Sequence, residues 1–159
     1  MAVHAMSIYQ NLEKLGITLP PVATPAAAYV PFVRAGNLVF LSGHISKKDG
    51  KPWTGQLGNG TTLDEARAAA RSVAVDLMGT LQAAAEGDLT RIRRIVSLMV
   101  LVNSAPTFTE HHLVANGCSE LLGEVFGDAG KHARAAYGVA QIPFGCCVEI
   151  TLVAELSEG

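Results

Sequence analysis

The sequence predicts an α+β domain, a single mixed sheet with two long helices packed on one of its faces. Three observations carry this reading. Two stretches, 62–87 and 107–126, repeat apolar residues at helical spacing along one side. Short β-leaning runs lie before, between and after them, in the order β-β-α-β-α-β-β. The run Ile95-Val-Ser-Leu-Met-Val-Leu-Val102 is apolar on both faces. One face of its sheet belongs under the helices, and the other must also be kept from water, which points to a second subunit.

In chain order, Ser7 to Leu15 reads as a short helix with Ile8, Leu12 and Leu15 on one side and Gly16 as its stop. Leu19-Pro20-Pro21 then forces extended chain. Residues 1–25 are thus an N-terminal helix and arm, and 26–159 a single domain. Ala26 to Val33 and Asn37 to Leu41 form a first hairpin turning at Arg34-Ala-Gly36-Asn37, and Ser42-Gly43-His44 closes its second strand. Lys47 to Gly60, rich in Gly, Lys and Pro, reads as an exposed loop, with Trp53 as an interface anchor.

Thr62-Leu-Asp-Glu65 is a capping box, in which hydroxyl and carboxylate satisfy free backbone donors at a helix start. Leu63, Ala66, Ala70, Val73, Ala74, Leu77, Met78 and Leu81 follow at helical spacing, and Gly87 ends the run. Arg91 to Val102 is a strand, broken by Asn103-Ser-Ala-Pro106. A second helix follows from Thr107 to Phe126, with Val114, Cys118, Leu121, Leu122 and Val125 inward and Gly127 as its end. The chain closes on two extended runs around Pro143-Phe144-Gly145, which read as a β-hairpin whose second strand reaches Leu156.

Composition bounds the function. The chain has 159 residues, 49% hydrophobic and 16% charged, against a typical charged share of about 25%. A sizeable core is expected, with surface buried against other copies. The net charge of −2 advertises no nucleic acid. Cys118, Cys146 and Cys147 make no disulfide framework, so a reducing cytoplasm is the expectation. No signal pattern opens the chain, and no apolar run nears the ~20 residues of a membrane span.

Two charges stand out in the final hairpin. Arg134 alternates with Ala136, Gly138 and Ala140, small neighbours that leave space before a guanidinium suited to a carboxylate. Glu149 shares a strand face with Cys147 and Thr151, opposite the core-like Val148, Ile150, Leu152 and Ala154. An odd pairing sum in the hairpin would put Arg134 and Glu149 on one face. A buried ion pair without function is the competing reading, and spacing does not decide between them. Ser42-Gly43 offers backbone donors at a strand end, or is a plain terminating turn. Glu110-His111-His112 lacks a spaced third ligand, so no metal is expected. The cysteines lack an activating base. Arg91-Ile-Arg93-Arg94 reads as solvated, a small footprint for RNA. No phosphate-binding glycine pattern is present.

From about Ala26 to Leu156 the chain resembles the Rid (YjgF-type) family, often labelled endoribonuclease L-PSP. The resemblance rests on Pro31-Phe32, Gly36-Asn37, Ser42-Gly43, Ala133-Arg134, Pro143 nine residues after the arginine and Val148-Glu149 fifteen after it. The segment Asn116 to Phe126 and His132-Ala-Arg134 resemble the longer branch, the chorismate-mutase-like group. The resemblance implies a chorismate-mutase-like α+β fold, a homotrimer with clefts between subunits, and a cofactor-free hydrolytic deaminase of small enamines or imines such as 2-aminoacrylate. Arg134 would hold the substrate carboxylate, and Glu149 would position or activate the attacking water. Phe32, Ser42, Gly43, Asn116 and the backbone near Ala136 would line the substrate. Phe32 replaces a usual tyrosine and Ala136 a usual cysteine, implying a larger or less polar substrate. A non-catalytic binder of small carboxylates and the labelled ribonuclease or translation inhibitor are the alternatives.

Overall fold

The computed structural model describes residues 2–22 and 27–158. Helix α1 (Ala2–Lys14) ends where Gly16 takes a positive φ of 68° and the Ile17 amide returns to the Leu12 carbonyl at 2.9 Å, a closed helix stop. Its Ile8 and Leu12 enter the common core. The expected boundary near residue 25 and the expected strand start at Ala26 lie outside the described residues. Residues 27–31 bend rather than extend, so the first strand is shorter than expected.

Strands β1 (Phe32–Ala35) and β2 (Leu38–Ile45) form the expected hairpin, with Gly36 at φ 62°. The expected loop is partly structured. It holds a small ribbon, β3 (Lys47–Lys48) and β4 (Lys51–Pro52), turned by Asp49 and Gly50, both at positive φ. Leu57 is buried, and Trp53 packs on the core beneath the Lys48 ammonium instead of standing free as an anchor.

Helix α2 (Leu63–Ala84) starts on the Thr62/Glu65 capping box, with both reciprocal bonds present. Strand β5 (Ile92–Asn103) follows. Helix α3 (His111–Phe126) begins four residues later than expected, after a turn through Pro106. The two long helices approach closely because position 117 carries no side chain: a Cβ on Gly117 would strike the Arg67 backbone. Both pack on one face of a five-stranded sheet completed by β6 (Ala133–Val139) and β7 (Val148–Leu156), in the order β1-β2-β7-β5-β6.

The final hairpin is a correction. Strands β6 (Ala133–Val139) and β7 (Val148–Leu156) do not pair. β5 lies between them, parallel to β6 and antiparallel to β7. The cause sits at the end of β5. Buried Asn103 donates from Nδ2 to the Gln141 side chain and the Cys146 carbonyl, both at 3.2 Å, and its amide meets the Cys147 carbonyl at 2.9 Å. The 140–147 segment is wrapped around this residue, so it spans β5 instead of making a tight turn. β7 takes a central place, buried at every second residue.

The face of the sheet away from the helices is open and carries several large apolar side chains beside polar ones such as Glu149 and Glu155. Val33, Leu38, Phe40, Met99 and Tyr137 stand exposed there, Phe40 at 45% and Met99 and Tyr137 at 44% each.

Candidate functional site

Glu149 lies on the open face of β7, between Ile45 of β2 and Leu101 of β5. It is half-buried, and burial alone pushes its carboxyl above the ordinary 4.5. Among the described residues no donor satisfies the carboxylate. It lies against Gly43, where an added Cβ would stand 2.6 Å from Oε1.

Gly43 is presented by an irregularity the sequence reading missed. Leu41 pairs with Leu152 and His44 with Ile150, so Ser42 and Gly43 together oppose Thr151. This is a β-bulge inside β2, not the end of a strand. Ser42 ties the bulge to the chain before β1: its Oγ donates to the Val30 carbonyl at 2.6 Å and its amide to the Pro31 carbonyl at 2.9 Å. From below, His44 Nδ1 bonds the Ser42 carbonyl at 2.7 Å and Nε2 the Thr80 hydroxyl of α2 at 2.8 Å. Burial lowers the His44 pKa, against the opposing pull of the Ser42 carbonyl and Asp76. Burial thus favours the neutral ring, in which Nδ1–H donates to the carbonyl and Nε2 accepts from Thr80.

Arg134 lies on the other side of the sheet. It pairs with Leu98, which also pairs with Leu152, and both leucines are buried under the helices. Its guanidinium reaches α3, donating from Nη1 to Ser119 Oγ and from Nη2 to the His112 carbonyl, each at 3.0 Å. Ser119 Oγ also meets His132 Nε2 at 2.8 Å, and His132 Nδ1 meets the Gly130 carbonyl at 2.6 Å. Asn116 is on the same stripe of α3 as His112 and Ser119, four residues from one and three from the other. Half-buried Ala136 follows Arg134 on this strand face.

The space expected before Arg134 is narrower than its small neighbours imply. Gly138 lies under Ser104 and His111, where a Cβ would stand 2.6 Å from His111 Nε2. His111 is itself bonded to Ser104 at 3.0 Å. Ala140 falls beyond the end of β6.

Two groups therefore replace the single expected one. Arg134, Ala136 and Asn116 gather at the seam of β6 and α3. Glu149, Gly43 and Ser42 gather where β7 meets the bulge of β2, two and three strands from β6, with Glu149 facing the opposite side. The odd register that would have put both charges on one face does not occur, because β6 and β7 are not neighbours. Phe32 joins neither charge: it pairs with buried Leu41 and packs on the core. Cys118 is buried, which pushes its thiol up to about 12, and burial raises Cys146 and Cys147 as well. Ser119 and His132 were missed as partners of Arg134. The available signal was a serine three residues after Asn116 on one helix face.

Comparison with known proteins places this geometry. Residues 10–156 match the family described as YjgF/chorismate mutase-like, putative endoribonuclease. Protein TCP17 of Trypanosoma cruzi is 50% identical over 149 residues, covering 92% of each chain. The crystal structure of protein Atu1372 of Agrobacterium tumefaciens, of unknown function, is 41% identical with a TM-score of 0.88, over 98% of this chain and 97% of that one. A putative endoribonuclease of Shewanella oneidensis MR-1 is 32% identical with a TM-score of 0.89, over 94% of this chain and 99% of the other. With its two helices on one face of a mixed sheet, the chain belongs to the YjgF/chorismate mutase-like family.

Proposed function

We propose that this protein is a cofactor-free hydrolytic deaminase of a small carboxylate-bearing enamine or imine, working at a boundary between subunits of a homotrimer. The carrying observation is the separation of its two charges. Arg134 and Glu149 face opposite sides of the sheet with β5 between their strands, roughly 10 Å apart across the ladder. One chain cannot apply both to a substrate the size of 2-aminoacrylate. Arg134 on the edge of one chain, set against the open face of a second, lets the neighbour's Glu149 complete the site.

The chemistry follows from the groups. The enamine first tautomerises to the imine. Arg134 holds the carboxylate through paired N–H donors. Glu149, its carboxyl held above the ordinary 4.5 by burial, takes a proton from water as that water adds to the imine carbon. The proton passes to nitrogen to give a carbinolamine; Glu149 then moves the carbinolamine hydroxyl proton to the same nitrogen as the C=O forms and the C–N bond breaks, and a 2-keto acid and ammonia leave. The open, bulged backbone at Gly43 keeps room beside the carboxylate for that water.

The test is ammonia release from 2-aminoacrylate generated in situ. Turnover by the wild type that is lost in Arg134→Ala is the expected result. An inactive wild type, or an Arg134→Ala variant as fast as wild type, removes the proposal. Stabilisation by a 2-keto acid without turnover would leave a carboxylate-binding protein.

A further inference from the structure

The Arg134 guanidinium is held by a hydrogen-bond chain whose polarity can be read from its ends. The Gly130 carbonyl can only accept, so His132 Nδ1 carries the proton in the 2.6 Å contact. With the proton on Nδ1 alone, Nε2 is an acceptor, and Ser119 donates its hydroxyl proton across 2.8 Å. That turns a lone pair of Ser119 Oγ toward Arg134 Nη1, 3.0 Å away. The His112 carbonyl fixes Nη2. Two of the five guanidinium N–H groups are thus committed to α3, and three remain for a ligand. The same construction occurs beneath the bulge, where His44 bridges the carbonyl two residues before it and the Thr80 hydroxyl of α2.

We propose that Ser119 and His132 are positioning residues: together they lock the rotamer of Arg134 so that its free N–H edge meets a single carboxylate. This rests on the reading of Arg134 as the carboxylate anchor. An arginine on an exposed edge strand has many rotamers to lose, and pre-organising it lets the ligand bind without ordering that side chain. The pair touches no reacting atom, so its effect belongs in substrate affinity and not in the chemical step.

Four variants test this. Ser119→Ala should raise KM, and the Kd for pyruvate, about tenfold, the lower end of what a hydrogen bond from a charged donor supplies. Its kcat should stay within about twofold of wild type, as expected for lost ground-state binding. Ser119→Thr keeps the hydroxyl and should recover most of the affinity. His132→Gln sets an amide oxygen near the place of Nε2 and should lose less than His132→Asn, which keeps only a donor near Nδ1. Nitrogen NMR gives a readout independent of turnover: the Nδ1–H tautomer at His132, and a guanidinium rotation at Arg134 that quickens in Ser119→Ala. An unchanged KM and Kd in Ser119→Ala, a fall confined to kcat, or the Nε2–H tautomer at His132 would each overturn the proposal. If the wild type releases no ammonia, the deaminase reading fails alone. Pyruvate affinity and the NMR signals then still decide whether Ser119 and His132 position Arg134.

Discussion

Gly43→Ala separates the site from the scaffold. The backbone at Gly43 is not in the left-handed region, so alanine meets no conformational barrier there. What it meets is Glu149: the new Cβ would stand 2.6 Å from Oε1, 3.1 Å from Cδ and 3.3 Å from Cγ. A carbon-to-oxygen contact needs about 3.3 Å, so the carboxylate must retreat by about 0.7 Å. The group that moves is the end of a flexible side chain on an open face, so the fold should lose no more than about 1 kcal/mol, a typical value for a single substitution. Catalysis is less forgiving. A misplacement near 1 Å costs up to about a hundredfold, so kcat for ammonia release should fall roughly ten- to a hundredfold. Gly43→Ala combined with Glu149→Gln should be no slower than Glu149→Gln alone, since both act on one carboxylate. Steady-state kinetics and thermal melts on the three variants are the assay. Wild-type kcat in Gly43→Ala, or losses that multiply in the double variant, would refute the placement of Glu149 over the bulge.

Further predictions follow from the same geometry. The folded state holds the Glu149 proton more tightly than the unfolded chain does, because burial raises its pKa. The stabilisation is complete below the ordinary 4.5 and lost as pH rises through the raised folded value. Glu149→Gln should therefore melt with wild type near pH 4 and above it near pH 7; a constant gap across that range would contradict the raised pKa. Phe40→Lys places a charge on the open face, at an exposed position of β2 outside the core. Light scattering should then find monomers, whereas an unchanged assembly would show that this face is not the contact.

Much of the helical layer could be read from local signals. The Thr62/Glu65 box and the 3.6-residue apolar repeat of α2 need no distant partner to be recognised, and the inner residues of α3 are those expected. The alternation of β7, with Val148, Ile150, Leu152 and Ala154 inward, was equally plain. What failed was non-local. The pairing of β6 with β5 depends on Asn103 holding the 140–147 segment across the end of β5, and no pattern within 132–150 encodes that. The Ser42-Gly43 bulge arises only when β2 is laid against β7 and one residue is left over. Trp53 looked exposed because its loop is polar, yet the loop folds back over the core. The charges themselves were visible from composition and small neighbours. Their faces were not, since a face follows from which strand lies between them. Ser119 and His132, 13 residues apart, meet only because the chain leaving α3 returns along the same seam.

The claim that one chain supplies the arginine and its neighbour the glutamate is tested most directly by mixing subunits. Arg134→Ala and Glu149→Gln chains are each expected to release almost no ammonia from 2-aminoacrylate. Unfolded and reassembled together in equal amounts, they should recover about a quarter of wild-type sites, because a head-to-tail contact can pair an intact arginine with an intact glutamate. A mixture that stays as inactive as its components, while the wild type carried through the same procedure regains activity, would contradict a site shared between subunits.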